Sequence, residues 1–500
     1  MTEKRISPLN MSPGDFSTLG HKLIDDIARF LDALPQKRVN PAESPDTVRS
    51  LIGTRPAPSE GRNPQELLDR ASKLLFDHSL FNGHPAFYGY ITSSAAPIGA
   101  LGDLLAAAVN SNVGGFQLAP AATEIESQTI RWIAEMIGYP TDCGGILMSG
   151  GNMANMVCFL AGRKAKIPWD VRKEGLAGHQ QIRIYCSAET HTWIKKAGDL
   201  FGFGTDAVRW VPTGDDLRMD VRFLRKQIEE DLKKGDLPLM VIGTAGSVGT
   251  GAIDPLREIS EVCKANSMWF HVDGAYGGLA AMLPDAPDDL RALGLADSVA
   301  VDPHKWLYAP IEAGCVLVRD REKLRDAFSF EVAYYRFGQS GENPPTNYFE
   351  YGPQNSRSFR ALKVWLALQQ AGVNGYRQMI ADDILLAKEL YRVVRETPEL
   401  EAFTNGLSIT TFRYVPRDLA LTGPDREKYL NNLNEKILSA VQNSGEAYVS
   451  NHVIRGTFVL RACIVNFRTS LNEIRALPGI VTRIGKNVHR ELSMSKAENG

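Results

Sequence analysis

The sequence is short of features that mark several protein classes. Its six cysteines (Cys143, Cys158, Cys186, Cys263, Cys315 and Cys463) are scattered over 500 residues without a CxxC pair. That spacing argues against a disulfide framework and a zinc site, and no metal is expected. Charge of one sign is missing too: 56 Lys and Arg against 58 Asp and Glu leave a net charge of −2. A polyanion binder needs a concentrated basic face, so no nucleic-acid partner is expected. The opening segment MTEKRISPLNMSPGDFSTLG has no apolar core and predicts no secretory signal. Apolar runs such as LLAAAV from Leu104 are far too short to span a bilayer, so no membrane partner is expected. With reduced thiols, these absences point to the cytoplasm. No internal repeat or low-complexity tract breaks the chain.

What is there is ordinary globular composition, 44% hydrophobic and 23% charged. The length exceeds one compact core and predicts more than one lobe. Residues 1–80 read as polar and helical, interrupted by NPAESP and RPAPSEGRNP; HKLIDDIARFLDAL from His21 has helical apolar spacing. From about residue 100, short apolar runs alternate with amphipathic helices. The predicted strands are 145–149, 182–186, 208–211, 239–244, 268–273, 298–302 and 314–319. Such alternation predicts a mostly parallel sheet with helices on both faces. A polar, aromatic, Gly- and Pro-rich stretch from Phe330 reads as a long loop. Helices come next, from Ser358 and near 377–396, and then a smaller α+β lobe to the end of the chain.

Open parallel sheets hold ligands at the carboxyl ends of their strands. Three of these ends stand out. GILMS runs into Gly150-Gly151-Asn152 and a helix start, where free N–H groups favour an anion. Alone, such a turn is more often only a tight turn. Asp273 ends the apolar strand MWFHVD, where a carboxylate needs a partner. Lys305 follows SVAVD-Pro-His among Trp306, Leu307 and Tyr308, and a desolvated lysine forms Schiff bases readily. Singly, the Asp reads as a structural hydrogen-bond acceptor and the Lys as a snorkelling surface residue. Together they suit an aldehyde with a phosphate arm and a ring nitrogen that stays protonated. Pyridoxal phosphate has these features.

The motifs HPAFYGY (84–90), SGGNMAN (149–155), HVDGAYGG (271–278), DPHKWL (302–307) and LRACIVNFR (460–468) carry a family resemblance. In order and spacing, from about residue 15 to 490, the chain resembles the pyridoxal-phosphate group II amino acid decarboxylases. That family includes aromatic-L-amino-acid, glutamate and histidine decarboxylases. The resemblance implies an α/β fold of the aspartate-aminotransferase type (fold type I). It implies an N-terminal helical arm over 1–80, a large cofactor-binding domain over 81–380 and a small C-terminal α+β domain over 381–500. It implies a homodimer with active sites at the interface. It implies Lys305 as the Schiff-base lysine, Asp273 at the pyridine nitrogen, Ala275 on one ring face and His191 on the other. Gly150, Gly151, Asn152, His304 and Ser247 are implied at the phosphate, and Tyr334 (with Tyr335 adjacent) as the proton donor to the product carbon. Tyr90 and Thr92 are implied at the substrate.

The implied reaction is decarboxylation of an L-amino acid to the amine and carbon dioxide. Tyr90 matches a position that is aromatic in the aromatic-amino-acid enzymes and glutamine in the glutamate enzymes, so an aromatic substrate is expected first and an acidic one second. Ile91-Thr92-Ser93 departs from the Phe-Pro-Thr usual in the aromatic members. An aldehyde synthase, an aminotransferase on the same fold and a catalytically inactive binding protein are the competing readings.

Overall fold

The apolar runs between residues 144 and 318 pair into one sheet, in a computed structural model that describes residues 7–330 and 345–498. Tyr334 and Tyr335 lie outside the described residues. The strands are β1 (Phe87–Tyr88), β2 (Gly144–Met148), β3 (Ile182–Ser187), β4 (Val208–Val211), β5 (Leu237–Thr244) and β6 (Trp269–Asp273). They continue as β7 (Ser298–Val301), β8 (Gly314–Val318), β9 (Leu400–Gly406), β10 (Ile409–Tyr414), β11 (Tyr448–Ile454) and β12 (Thr457–Cys463). The first sheet has the order β2-β8-β7-β6-β5-β3-β4, and only β8 runs against its neighbours. Every residue of β6, β7 and β8 is buried. Uninterrupted apolar strands of this kind are stable only when covered. The helices Gly151–Lys166, Val221–Lys233 and Leu256–Ala265 pack against the sheet.

A second sheet, β1-β11-β12-β10-β9, has its own apolar core with the helices Gly423–Ser444 and Leu471–Glu498. It is not confined to the end of the chain. β1 pairs in parallel with β11, Phe87 opposite Tyr448, and Val39, Phe87 and Tyr88 join its core. Position 380 falls inside one helix, Ala361–Glu396, which kinks at Gly372 (φ 65°) and so joins the two helices read from the sequence.

The proline-rich breaks in residues 1–80 are helix starts. Ser12-Pro13, Ser44-Pro45 and Asn63-Pro64 each place a side-chain oxygen on the free N–H groups of the first turn, with Pro at the first helical position. None of these three helices buries a residue within the chain. Among the described residues, no helix is long and apolar enough to cross a membrane. All six cysteines are free thiols, five of them buried, and burial pushes Cys143 up to about 12.

Candidate active site

The ends of β2, β6 and β7 open onto one cleft of about 600 Å³. Its floor begins at the turn after β2. Gly150 has φ 87°, a conformation that a side chain disfavours. A Cβ on Gly151 would lie 2.5 Å from Asp302 Oδ2, so only glycine allows the helix start to approach the acid. The helix Gly151–Lys166 carries no side-chain cap. Its first N–H groups therefore face the cleft unshielded, where they attract an anion.

Asp273 ends β6, 7% exposed. Its Oδ2 accepts from Trp193 Nε1 at 2.8 Å and its Oδ1 from the Ala275 N–H at 3.2 Å. Lys305 lies one strand over. Its Nζ is 3.1 Å from Asp302 Oδ2, while Asp302 Oδ1 is buried with no partner among the described residues. The lysine's loop is pinned from below. Trp306 Nε1 and the Tyr308 hydroxyl donate to Asp383 Oδ2 at 2.9 and 2.6 Å, and burial pushes Asp383 up to about 7.

His304 Nδ1 donates to the Ala313 carbonyl at 2.7 Å, and its Nε2 is 3.8 Å from Asp302 Oδ2. His191 lies on the loop after β3, and its Nδ1 accepts from the Trp193 main-chain N–H at 3.3 Å. Desolvation lowers both imidazoles below their ordinary range, so both are neutral at neutral pH.

The cleft thus brings together Gly150, Gly151, Asn152, His191, Asp273, Ala275, His304, Lys305, Tyr90 and Thr92. Ser247 departs from the expectation. It does not line the cleft; its buried hydroxyl is 2.9 Å from Thr250 Oγ1 and closes the turn after β5 instead. Of the lining residues not read from the sequence as site residues, two are charged and sit in its motifs. Asp302 is one. Arg461 is the other: 3% exposed, it gives Nη1 to the Tyr90 carbonyl and Ser450 Oγ, each at 3.0 Å, and leaves Nε and Nη2 without partners among the described residues. The Thr92 hydroxyl is likewise unpartnered among them. Buried polar atoms without partners in a cleft point to a polar ligand.

Comparison with known proteins agrees with this chemistry. Residues 45–415 match the pyridoxal-dependent decarboxylase conserved domain. The aromatic-L-amino-acid decarboxylase of Bacillus atrophaeus is 32% identical over 467 residues, covering 93% of this chain and 94% of that one. A phenylacetaldehyde synthase of a Rosa hybrid cultivar is 29% identical over 465 residues, 91% of this chain and 90% of that one. The crystal structure of Oryza sativa TDC with PLP and tryptamine superposes with a TM-score of 0.89 at 26% identity, over 97% of this chain and 99% of that one.

The chain belongs to the pyridoxal-dependent decarboxylase family, with the fold of the fold-type-I pyridoxal phosphate enzymes. It is an amino acid decarboxylase whose cofactor is pyridoxal phosphate. The cleft fits that group: an uncapped helix start suits the phosphate, Lys305 the aldehyde and Asp273 the ring nitrogen.

Proposed function

We propose that the chain decarboxylates an aromatic L-amino acid to its amine, as a homodimer in the cytoplasm. The observation that carries the reading is the set of charges in one cleft: Asp273 and the Lys305–Asp302 pair at neighbouring strand ends, with an unpartnered Arg461 guanidinium edge nearby. When bound, pyridoxal phosphate supplies a conjugated ring that accepts the electron pair left as carbon dioxide departs.

The chain's own residues do the rest. Lys305, whose Nζ lies beside Asp302, would hold the cofactor through its aldehyde. Asp273 would pair with the ring nitrogen, hold a proton there and stabilise charge where it develops. The uncapped helix start at Gly151 and Asn152, with His304 beside Gly150, would hold the phosphate. A phosphate there raises the imidazole pKa that desolvation lowers. Ala275 and His191, which line the same cleft, would bound the ring. Arg461 orients the substrate carboxylate through its two unpartnered nitrogens. Tyr334, assisted by His191, protonates the carbon that the carboxylate leaves.

Tyr90 and Thr92 form the side-chain wall. The Tyr90 ring lies at the cleft mouth, 6.2 Å from that of Tyr448, and supports an aromatic substrate. The Bacillus relative, an aromatic-L-amino-acid decarboxylase, supports the same choice. Arg461 would equally suit a second carboxylate, which favours an acidic amino acid as the second reading. The rose relative keeps an aldehyde product in view.

The dimer is supported by apolar surface that no described residue covers. Leu104, Leu105 and Val109 of the helix Pro97–Val109 are exposed, as are Phe16 and Leu75 of the arm. Within this protomer we assign 1–80 to the arm, 81–380 to the cofactor lobe and 381–500 to the C-terminal lobe, with β1 crossing into the last.

A carbon dioxide release screen over the common amino acids tests the proposal. Release from tyrosine, tryptophan or phenylalanine, with little from glutamate or aspartate, is expected. Release from the acidic pair alone would overturn the substrate choice. Ammonia and peroxide formed in step with carbon dioxide would overturn the amine product.

A further inference from the structure

We propose that Trp193 is a positioning residue that sets the two groups facing the cofactor ring, His191 and Asp273. This rests on the roles proposed for those two residues. Trp193 is fully buried at the start of the helix Trp193–Leu200. Its indole Nε1–H donates to Asp273 Oδ2 at 2.8 Å. Its main-chain N–H donates to His191 Nδ1 at 3.3 Å. One residue thus holds both groups through separate hydrogen bonds. The second bond also fixes a tautomer: with Nδ1 accepting, the neutral His191 ring carries its proton on Nε2.

The indole is locked in turn. His271 meets it edge-on at 5.7 Å and 88°, and Phe159 at 6.5 Å and 78°. His271 shares a strand face with Asp273, two residues along β6. Its Nε2 donates to Asn155 Oδ1 at 2.8 Å. Its Nδ1 is 2.9 Å from Ser298 Oγ, which itself accepts from Trp269 Nε1 at 2.8 Å. Burial pushes His271 down to about 4, so it adds no charge beside Asp273.

The consequence is electrostatic. Asp273 is held by neutral donors, the indole and the Ala275 N–H. Neutral donors hold a carboxylate in place without adding a counter-charge, and leave it for the cation it is to meet. An arginine in place of Trp193 would hold the carboxylate equally well and neutralise it.

The test is a double-mutant cycle in the full-length holoenzyme. Trp193→Phe keeps a ring and the main-chain N–H and removes only the indole donor. It is expected to weaken cofactor binding about tenfold, the worth of one hydrogen bond to a charged group. It is also expected to shift the pH titration of the bound cofactor's absorbance, and to lower kcat more than it changes KM. In an Asp273→Asn background, Trp193→Phe should add nothing to the binding or spectral changes. Equal effects of Trp193→Phe in both backgrounds would mean a packing role and overturn the proposal. So would an Asp273→Asn effect with none from Trp193→Phe. If Asp273→Asn itself leaves the absorbance titration unchanged, the reading of Asp273 fails and takes this inference with it. Should Trp193→Phe not fold, chains that keep Trp193 still decide. With 15N-indole labelling, one of its seven tryptophan signals must move both on cofactor loading and on Asp273→Asn. No signal responding to both would overturn the proposal.

Discussion

Neighbouring strands of the parallel sheet lead to two buried aspartates with opposite surroundings. Asp273, closing β6, receives two fixed neutral N–H donors. Asp302, one residue beyond β7, receives the ammonium of a flexible side chain, Lys305, and leaves one oxygen unpartnered among the described residues. The two strands are paired in register, Asp273 opposite Ala300, so one architecture produced both. The difference lies in what meets each acid: the Ala275 N–H and the distant Trp193 indole at the first, and Lys305, three residues on, at the second. A carboxylate held by fixed dipoles keeps its charge and its place, and suits a permanent partner at the ring nitrogen. In the proposed roles, a carboxylate held by a lysine would lose that partner when the amine forms a new bond, and would serve as a temporary counter-ion.

Substitutions can break or sharpen this contrast. Asp273→Asn keeps the shape and removes the charge. It should lower the carbon dioxide release rate by about a hundredfold or more, as loss of a preorganised electrostatic contact does. Asp302→Asn should cost less, about tenfold in kcat, with the cofactor still bound. Equal losses in the two variants, measured as initial rates at saturating substrate, would erase the distinction.

The layer beneath Asp273 gives a pH test. His271 titrates near 4 in the native state against an ordinary 6.5. The unfolded chain therefore takes up a proton below pH 6.5 that the native chain refuses until about pH 4. Native stability falls across that window and is insensitive to this group above it. His271→Gln retains a donor and an acceptor. It should flatten the fall in urea-unfolding midpoint between about pH 7 and pH 5, and an unchanged slope would show that His271 is not buried neutral. Smallest of all, Ser247→Ala should leave kcat and cofactor affinity within about twofold, because the hydroxyl serves its own turn. A large loss of cofactor affinity would return Ser247 to the phosphate.

The parallel sheet was legible in the sequence because its strands are short apolar runs ended by unusual residues. The runs at 298–301 and 314–318 need no distant partner to be recognised. The specific pair HVDGAYGG and DPHKWL marked Asp273 and Lys305 for the same reason: the chemistry is local to each motif. Contacts between motifs were not legible. Nothing near Phe87 announces a strand that pairs with Tyr448, far along the chain. Trp193 gains its role only where the fold brings its indole to Asp273. Arg461 looked like one strand residue among several, and its unpartnered nitrogens emerge only when β12 meets the cleft. Ser247, which the resemblance implies at the phosphate, has its hydroxyl 2.9 Å from Thr250 Oγ1 in the turn after β5, a local contact that the motif alone does not reveal.

The central claim is that Lys305 is the amine that carries the cofactor. Borohydride reduction of the holoenzyme, with digestion and mass mapping, tests it directly. The expected result is loss of the yellow absorbance and a single phosphopyridoxyl label on Lys305, in the peptide containing DPHKWL. A label on any other lysine, or a Lys305→Ala protein that still releases carbon dioxide at the wild-type rate, would contradict it.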